Sequence, residues 1–163
     1  MNQETQLLLD SLGRQRDHVF GILEGLSDEQ LRRPVLPSGW TCLGLVRHLA
    51  LDVEHYWFRC ITAGEPLKTE GDSDDRLGAW QVEPNESAED IFTRYRNEIE
   101  RANAIAAATP LDAPPRQRDP WWGDWDVPNL RFILLHVVAE TACHAGHLDA
   151  GRELLDGHQW LVL

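Results

Sequence analysis

Basic residues are scarce in this chain. Its 163 residues carry 15 lysines and arginines against 27 acids, a formal net charge of −12. With no basic face to neutralise phosphates, that balance argues against nucleic-acid binding and against an anionic membrane surface. Long apolar runs are missing too: runs such as Phe132 to Leu135 fall far short of the ~20 residues that span a bilayer. The start, Met1-Asn2-Gln3-Glu4-Thr5, has neither a basic region nor an apolar core, so no secretory signal is read there. Cysteine is limited to Cys42, Cys60 and Cys143, an odd count without C-x-x-C spacing. Such usage fits reduced thiols better than a disulfide framework, and a cytoplasmic protein is expected. The length suits a single domain over residues 1–163 with one substantial core. No internal repeat is visible, and the acidic stretch 65–86 is the only strongly biased segment.

What is present is apolar periodicity. Leu8, Leu9, Leu12, Val19, Phe20, Ile22 and Leu23 recur near every 3.6 residues and predict a helix from Glu4 to Leu26. Ser27, with Gln30 three residues on, opens a short helical turn that Pro34 and Pro37 close. Thr41 is the expected N-cap of a second helix running to Ala63, where Gly64 and Pro66 stop it. Its apolar stripe is Leu45, Leu49, Val53, Trp57 and Ile61. Residues Glu65 to Glu86 read as a crossover loop. Ser87 caps a third helix that reaches about Ala108, with the acid Asp90 at its third position. Pro128 suits the first turn of a fourth helix ending near Leu155. The core face of that helix is expected at Phe132, Leu135, Val138, Ala142, Leu148 and Leu155. The fold class is therefore all-α, a four-helix bundle with a long crossover between helices two and three. Before the fourth helix, Trp121, Trp122 and Trp125 crowd into five loop residues. A loop pinned on the bundle, or a dimer contact, is preferred over a lid or a substrate wall. The tail from Asp156 to Leu163 reads as either a short docked strand or a partner contact.

One strip of the fourth helix is not apolar. At ~100° per residue, His136, Glu140 and His144 fall on successive turns of one face, with His147 beside them. An unpaired buried polar group costs roughly 1–3 kcal/mol, and a metal ion would satisfy these groups together. On the second helix His48 lies beside the apolar stripe, aimed inward. Asp52, one turn on, is read as a solvated acid rather than a partner that orients His48. His55 would sit roughly 10 Å further along the axis, too far to share an ion, and is assigned to packing or surface. His48 with Glu140 and His144 supplies N, O and N, three ligands that leave positions open as a catalytic site requires. His48 with His144 and His147 is a competing set, and His136 with Glu140 a weaker one. Ligands of these types suit zinc, nickel, iron or manganese. A di-iron centre would need Glu-x-x-His pairs from two helices, a spacing the chain does not have. Cys143, rotated ~100° from His144, is read as a buried inert thiol rather than a nucleophile.

Two motifs resemble a known family. Ser38-Gly39-Trp40-Thr41 followed by His48-Leu49-Ala50, Glu54 and Trp57-Phe58 forms the first. The second is E-T-A-C-H-A-G-H-L-D-A-G-R-E, Glu140 to Glu153. Together they resemble the DinB-like superfamily of four-helix bundles, closest to an uncharacterised branch ending E-x3-H-x-G-H-x-D-x2-R-E, over nearly the whole chain. The resemblance implies His48, Glu140 and His144 as the metal triad, with Glu140 where many relatives have a third histidine. His147, Asp149, Arg152 and Glu153 match the branch pattern and are expected to make helix-to-helix links. Similar proteins include the metal domain of mycothiol-dependent maleylpyruvate isomerase, whose additional domain is not expected in so short a chain, and S-transferases using bacillithiol or mycothiol. The function so implied is a metal-dependent S-transferase or isomerase that uses a thiol of that type on an electrophilic substrate. Zinc or nickel is the first choice of ion, then iron or manganese, and a homodimer is expected. The alternative is a non-enzymatic metal-binding bundle of stress-related type.

Overall fold

The computed structural model describes residues 2–67 and 78–160, and among these there is helix and no strand. Helix α1 (Gln3–Leu23) opens on Asn2, whose side chain accepts from the Thr5 N–H at 2.7 Å. The short α2 (Asp28–Arg32) opens on the expected capping box of Ser27 and Gln30. Helix α3 (Cys42–His48) starts from Thr41, and α4 (Ala88–Ala108) from Ser87, each cap satisfying an otherwise orphan backbone N–H. Helix α5 (Leu130–Asp156) closes at Gly157, whose φ of 78° is the left-handed conformation that favours glycine at a helix end. Its start corrects an expectation. Asn129, not Pro128, borders the helix, because its side chain can accept the Phe132 N–H at 3.1 Å.

The second expected helix is also corrected. After α3 the chain continues without a break as a π-wound segment, Leu49–Thr62. Apart from Cys60, its buried residues come in pairs, Leu49 with Ala50, Val53 with Glu54, Trp57 with Phe58, and Ile61 with Thr62, a repeat of four. An α-helix turns every 3.6 residues, so such a repeat drifts by ~40° per step around its surface. The wider i→i+5 winding takes more residues per turn and keeps the pairs over the core.

Helix α1 packs mainly against α5 and the π-wound segment mainly against α4, with α5 also touching the π-wound segment. The shared core includes Leu12 and Ile22 of α1, Leu45 and Leu49, Ile91 and Tyr95 of α4, and Ile133, Leu134 and Leu148 of α5. Two arginines tie the helices across it. Arg16 of α1 donates twice to Glu54, at 2.6 and 2.7 Å, and once to Asn103 of α4 at 2.8 Å. Arg152 of α5 donates to the carbonyls of Ile22 and Glu24, so α5 caps the carbonyl end of α1.

The core face of α5 differs from the expected stripe: Leu135 is 54% exposed, and the buried positions are Leu130, Ile133, Leu134, Val137, Thr141, Ala145, Leu148, Gly151 and Arg152. In R-F-I-L-L-H-V-V nearly every position is apolar, so a 3.6-residue period fits more than one register. Cys143 is likewise exposed rather than buried, because it shares the solvent face of α5 with Ala139, Gly146 and Ala150. The crossover expected over 65–86 lies partly outside the described residues, as do the last three residues of the tail. Up to Trp160 the tail packs on its own chain: that ring stacks on His18 at 5.2 Å.

Candidate metal centre

The junction where α3 passes into the π-wound segment faces the middle of α5, and three side chains meet there. His48 is the last residue of α3, while Glu140 and His144 lie one turn apart on α5. One ligand atom from each falls within 4.8 Å of the others. His48 Nε2 stands 3.8 Å from Glu140 Oε1, and the two imidazole centroids are 5.0 Å apart. Donors ~2.0–2.2 Å from one ion lie at most ~4.4 Å from each other, so small side-chain adjustments bring the three into coordination range.

The polar atoms of this cluster are buried without being satisfied. His48 Nε2 and Glu140 Oε2 have no hydrogen-bond partner among the described residues, a state that costs roughly 1–3 kcal/mol per group unless something binds them. Meanwhile His48 Nδ1 lies 2.9 Å from Asp52 Oδ2. Asp52 is therefore not merely a solvated acid. It takes one ring nitrogen and leaves the other directed at Glu140, as partners of metal-bound histidines do. Burial pushes the His144 imidazole down to about 4, with His48 and His147 adding to the shift and Glu140 opposing it. His144 is thus neutral near pH 7, the form in which imidazole ligates.

His147 does not join the group. It lies on the outer side of His144, Nδ1 to Nδ1 3.4 Å, and is exposed. His136 approaches Glu140 from the other side, Nε2 to Oε2 3.1 Å, within reach but off the hydrogen-bond axis. His55 is elsewhere, 3.5 Å from Glu98. A groove of about 600 Å³ bordered by Arg47, Arg94, Asn97 and Arg101 includes none of the three candidate ligands.

One residue of the site was missed in the sequence. Trp80, in a 3-10 turn (Gly78–Trp80), stacks on His48 at 4.1 Å with an 18° tilt and meets His144 edge-on at 5.5 Å. Gly44 makes the approach possible, since a Cβ there would stand 2.3 Å from the Trp80 carbonyl oxygen. A single tryptophan in an acidic, turn-rich stretch was the available signal. The tryptophan loop is pinned, as preferred above: Trp122 stacks on Trp57 at 5.6 Å and donates to Tyr56 Oη at 2.9 Å, while Trp125 meets Trp57 at 5.8 Å.

A family model described as mycothiol-S-transferase matches residues 7–157. The chain belongs to the mycothiol S-transferase family. This is a DinB-like family, and the match runs from within α1 to the end of α5, so it takes in all three clustered side chains. No curated protein and no solved structure matches the chain. The other residues of the second motif make links between and along helices in this family member. Asp149 pairs with His18 at 2.7 Å, Arg152 holds the end of α1, and Glu153 accepts from Gln159 at 2.9 Å.

Proposed function

We propose that this chain is a metal-dependent S-transferase that joins a low-molecular-weight thiol, of the mycothiol or bacillithiol type, to an electrophilic carbon. His48, Glu140 and His144 hold the ion, on a four-helix bundle of DinB-like type with its crossover at 65–86. The observation that carries this is the meeting of two nitrogen donors and one oxygen donor from separate elements within 4.8 Å, in a chain of this family. The donor set fits zinc or nickel first, and iron or manganese after them. When bound, the ion would supply a positive centre that favours the sulfur as thiolate near neutral pH.

The rest is done by the chain. Asp52 keeps the His48 nitrogen aimed inward. Trp80 covers both imidazoles and keeps water off that side. Glu140 and His136 are half-buried, with 25% and 31% of their side chains exposed, so thiol and acceptor reach the site from there. In the transfer a sulfur–carbon bond forms, the acceptor's bond to its leaving group breaks, and the thiol proton passes to solvent. Isomerisation would return the thiol at the end of each cycle, and the family match favours transfer. A homodimer and a cytoplasmic setting belong to the same reading and do not depend on the site.

Thiol loss from mycothiol mixed with a reactive electrophile tests the proposal. The metal-loaded chain consumes thiol above its metal-free control, and Glu140→Ala abolishes both metal content and consumption. Turnover that persists in metal-free Glu140→Ala overturns the proposal. Metal binding without any turnover favours the non-enzymatic reading.

A further inference from the structure

Each candidate ligand has a partner behind it on its own helical stretch. Asp52 stands behind His48 at 2.9 Å, His147 beside His144 at 3.4 Å, and His136 beside Glu140 at 3.1 Å. Around His136 a further layer of three aromatic rings follows. Its ring meets Trp57 at 4.7 Å and Trp125 at 5.4 Å, both edge-on, and lies parallel to Phe132 at 6.4 Å with a 2° tilt. The loop behind that ring is itself fixed. Arg118 donates to the carbonyls of Gly123 and Trp125, and Trp122 packs on Trp125 at 5.8 Å.

Aromatic neighbours on several sides hold an imidazole in one orientation. In that orientation Nε2 lies 3.1 Å from Glu140 Oε2, in contact but off the hydrogen-bond axis, while Oε1 lies 3.8 Å from His48 Nε2. No atom of His136 joins the group close enough to share an ion with His48 and His144. We infer that His136 is a positioning residue: clamped by the tryptophan loop, it restrains Oε2 of Glu140 so that Oε1 is the oxygen presented to the ion. A carboxylate restrained in this way loses less rotamer freedom when it binds. Residues Trp122 to Trp125 thereby act on the metal centre without touching a ligand. The inference rests on the ligand set proposed above.

Zinc affinity, measured by competition with a chromophoric chelator, tests it on wild type, His136→Ala, His136→Gln, Trp125→Ala and the Trp125→Ala/His136→Ala double variant. Circular dichroism checks each fold. His136→Ala is expected to weaken zinc binding by about 10–100-fold, the usual loss when a ligand's outer partner is removed. His136→Gln, which keeps an N–H donor, recovers most of that loss. Trp125→Ala weakens binding in the same direction, and the double variant is no weaker than His136→Ala alone, because both changes act through one contact. Additive losses overturn the inference. So does a glutamine variant that fails to recover and loses more than 100-fold, which would make His136 a ligand. Normal wild-type uptake with an unaffected His136→Ala sinks this inference alone, whereas a wild-type chain that takes up no zinc sinks the ligand set with it.

Discussion

His48 has one ring nitrogen committed to Asp52 and the other directed at Glu140, and that division of labour suits it to ligation. Its inward aim was readable from its place beside the apolar stripe. Asp52 was not, because an acid one turn from a histidine on a helix is as compatible with water as with the ring. Trp80 was hidden for a different reason: its contact with His48 spans 32 residues of sequence separation, and no local period reports such a meeting. Cys143 was misread for a local reason, since neighbours on a helix can lie on opposite sides of the buried boundary. Burial pushes the Cys42 thiol up to about 11 and raises Cys60 as well, so near pH 7.5 both stay protonated and unreactive while Cys143 is open to reagent. Iodoacetamide on the native chain should place one adduct, at Cys143, and reach the other two only on unfolding. Peptide mapping checks this, and native labelling of Cys42 as fast as Cys143 contradicts it.

Among the elements, the π-wound segment is the one whose form the sequence hid in plain view. Leu45, Leu49, Val53, Trp57 and Ile61 follow a strict four-residue repeat, which an α-helix carries around its surface and a wider winding does not. The segment starts directly after His48, at the candidate site, where π-winding is often found. The starts of α2, α3 and α4 were legible because Ser27, Thr41 and Ser87 are strong caps. The register of α5 was not, because nearly every position from Phe132 to Val138 in its first turns is apolar. The 3-10 turn that carries Trp80 depends on Gly44, so Gly44→Ala forces backbone apart, with its Cβ 2.3 Å from the Trp80 carbonyl oxygen. A loss of about 1–3 kcal/mol is expected, as for overpacking elsewhere, together with a changed near-ultraviolet dichroism as Trp80 leaves His48. Thermal melts and spectra check both, and an unchanged melt and spectrum contradict the close packing of this turn on α3.

For the whole molecule, the all-helical class followed from periodicity alone, whereas the way the helices meet did not. The pairing of α1 with α5 and of the π-wound segment with α4 rests on the shared core and on two buried arginines, Arg16 and Arg152. Arg16 could not be foreseen as a core residue, because its partner Glu54 lies on another helix and only the pair makes burial tolerable. The same packing brings His48 to Glu140 and His144 across 92 residues of sequence separation. The residues left that set open among three choices; the resemblance selected it, and the fold brings those three side chains together. Elemental analysis of the purified chain beside His48→Ala, Glu140→Ala and His144→Ala, each checked for fold by circular dichroism, tests that convergence most directly. The expected result is about one transition-metal ion per wild-type chain and little or none in each folded variant. Wild-type metal content in any of the three folded variants would contradict the account.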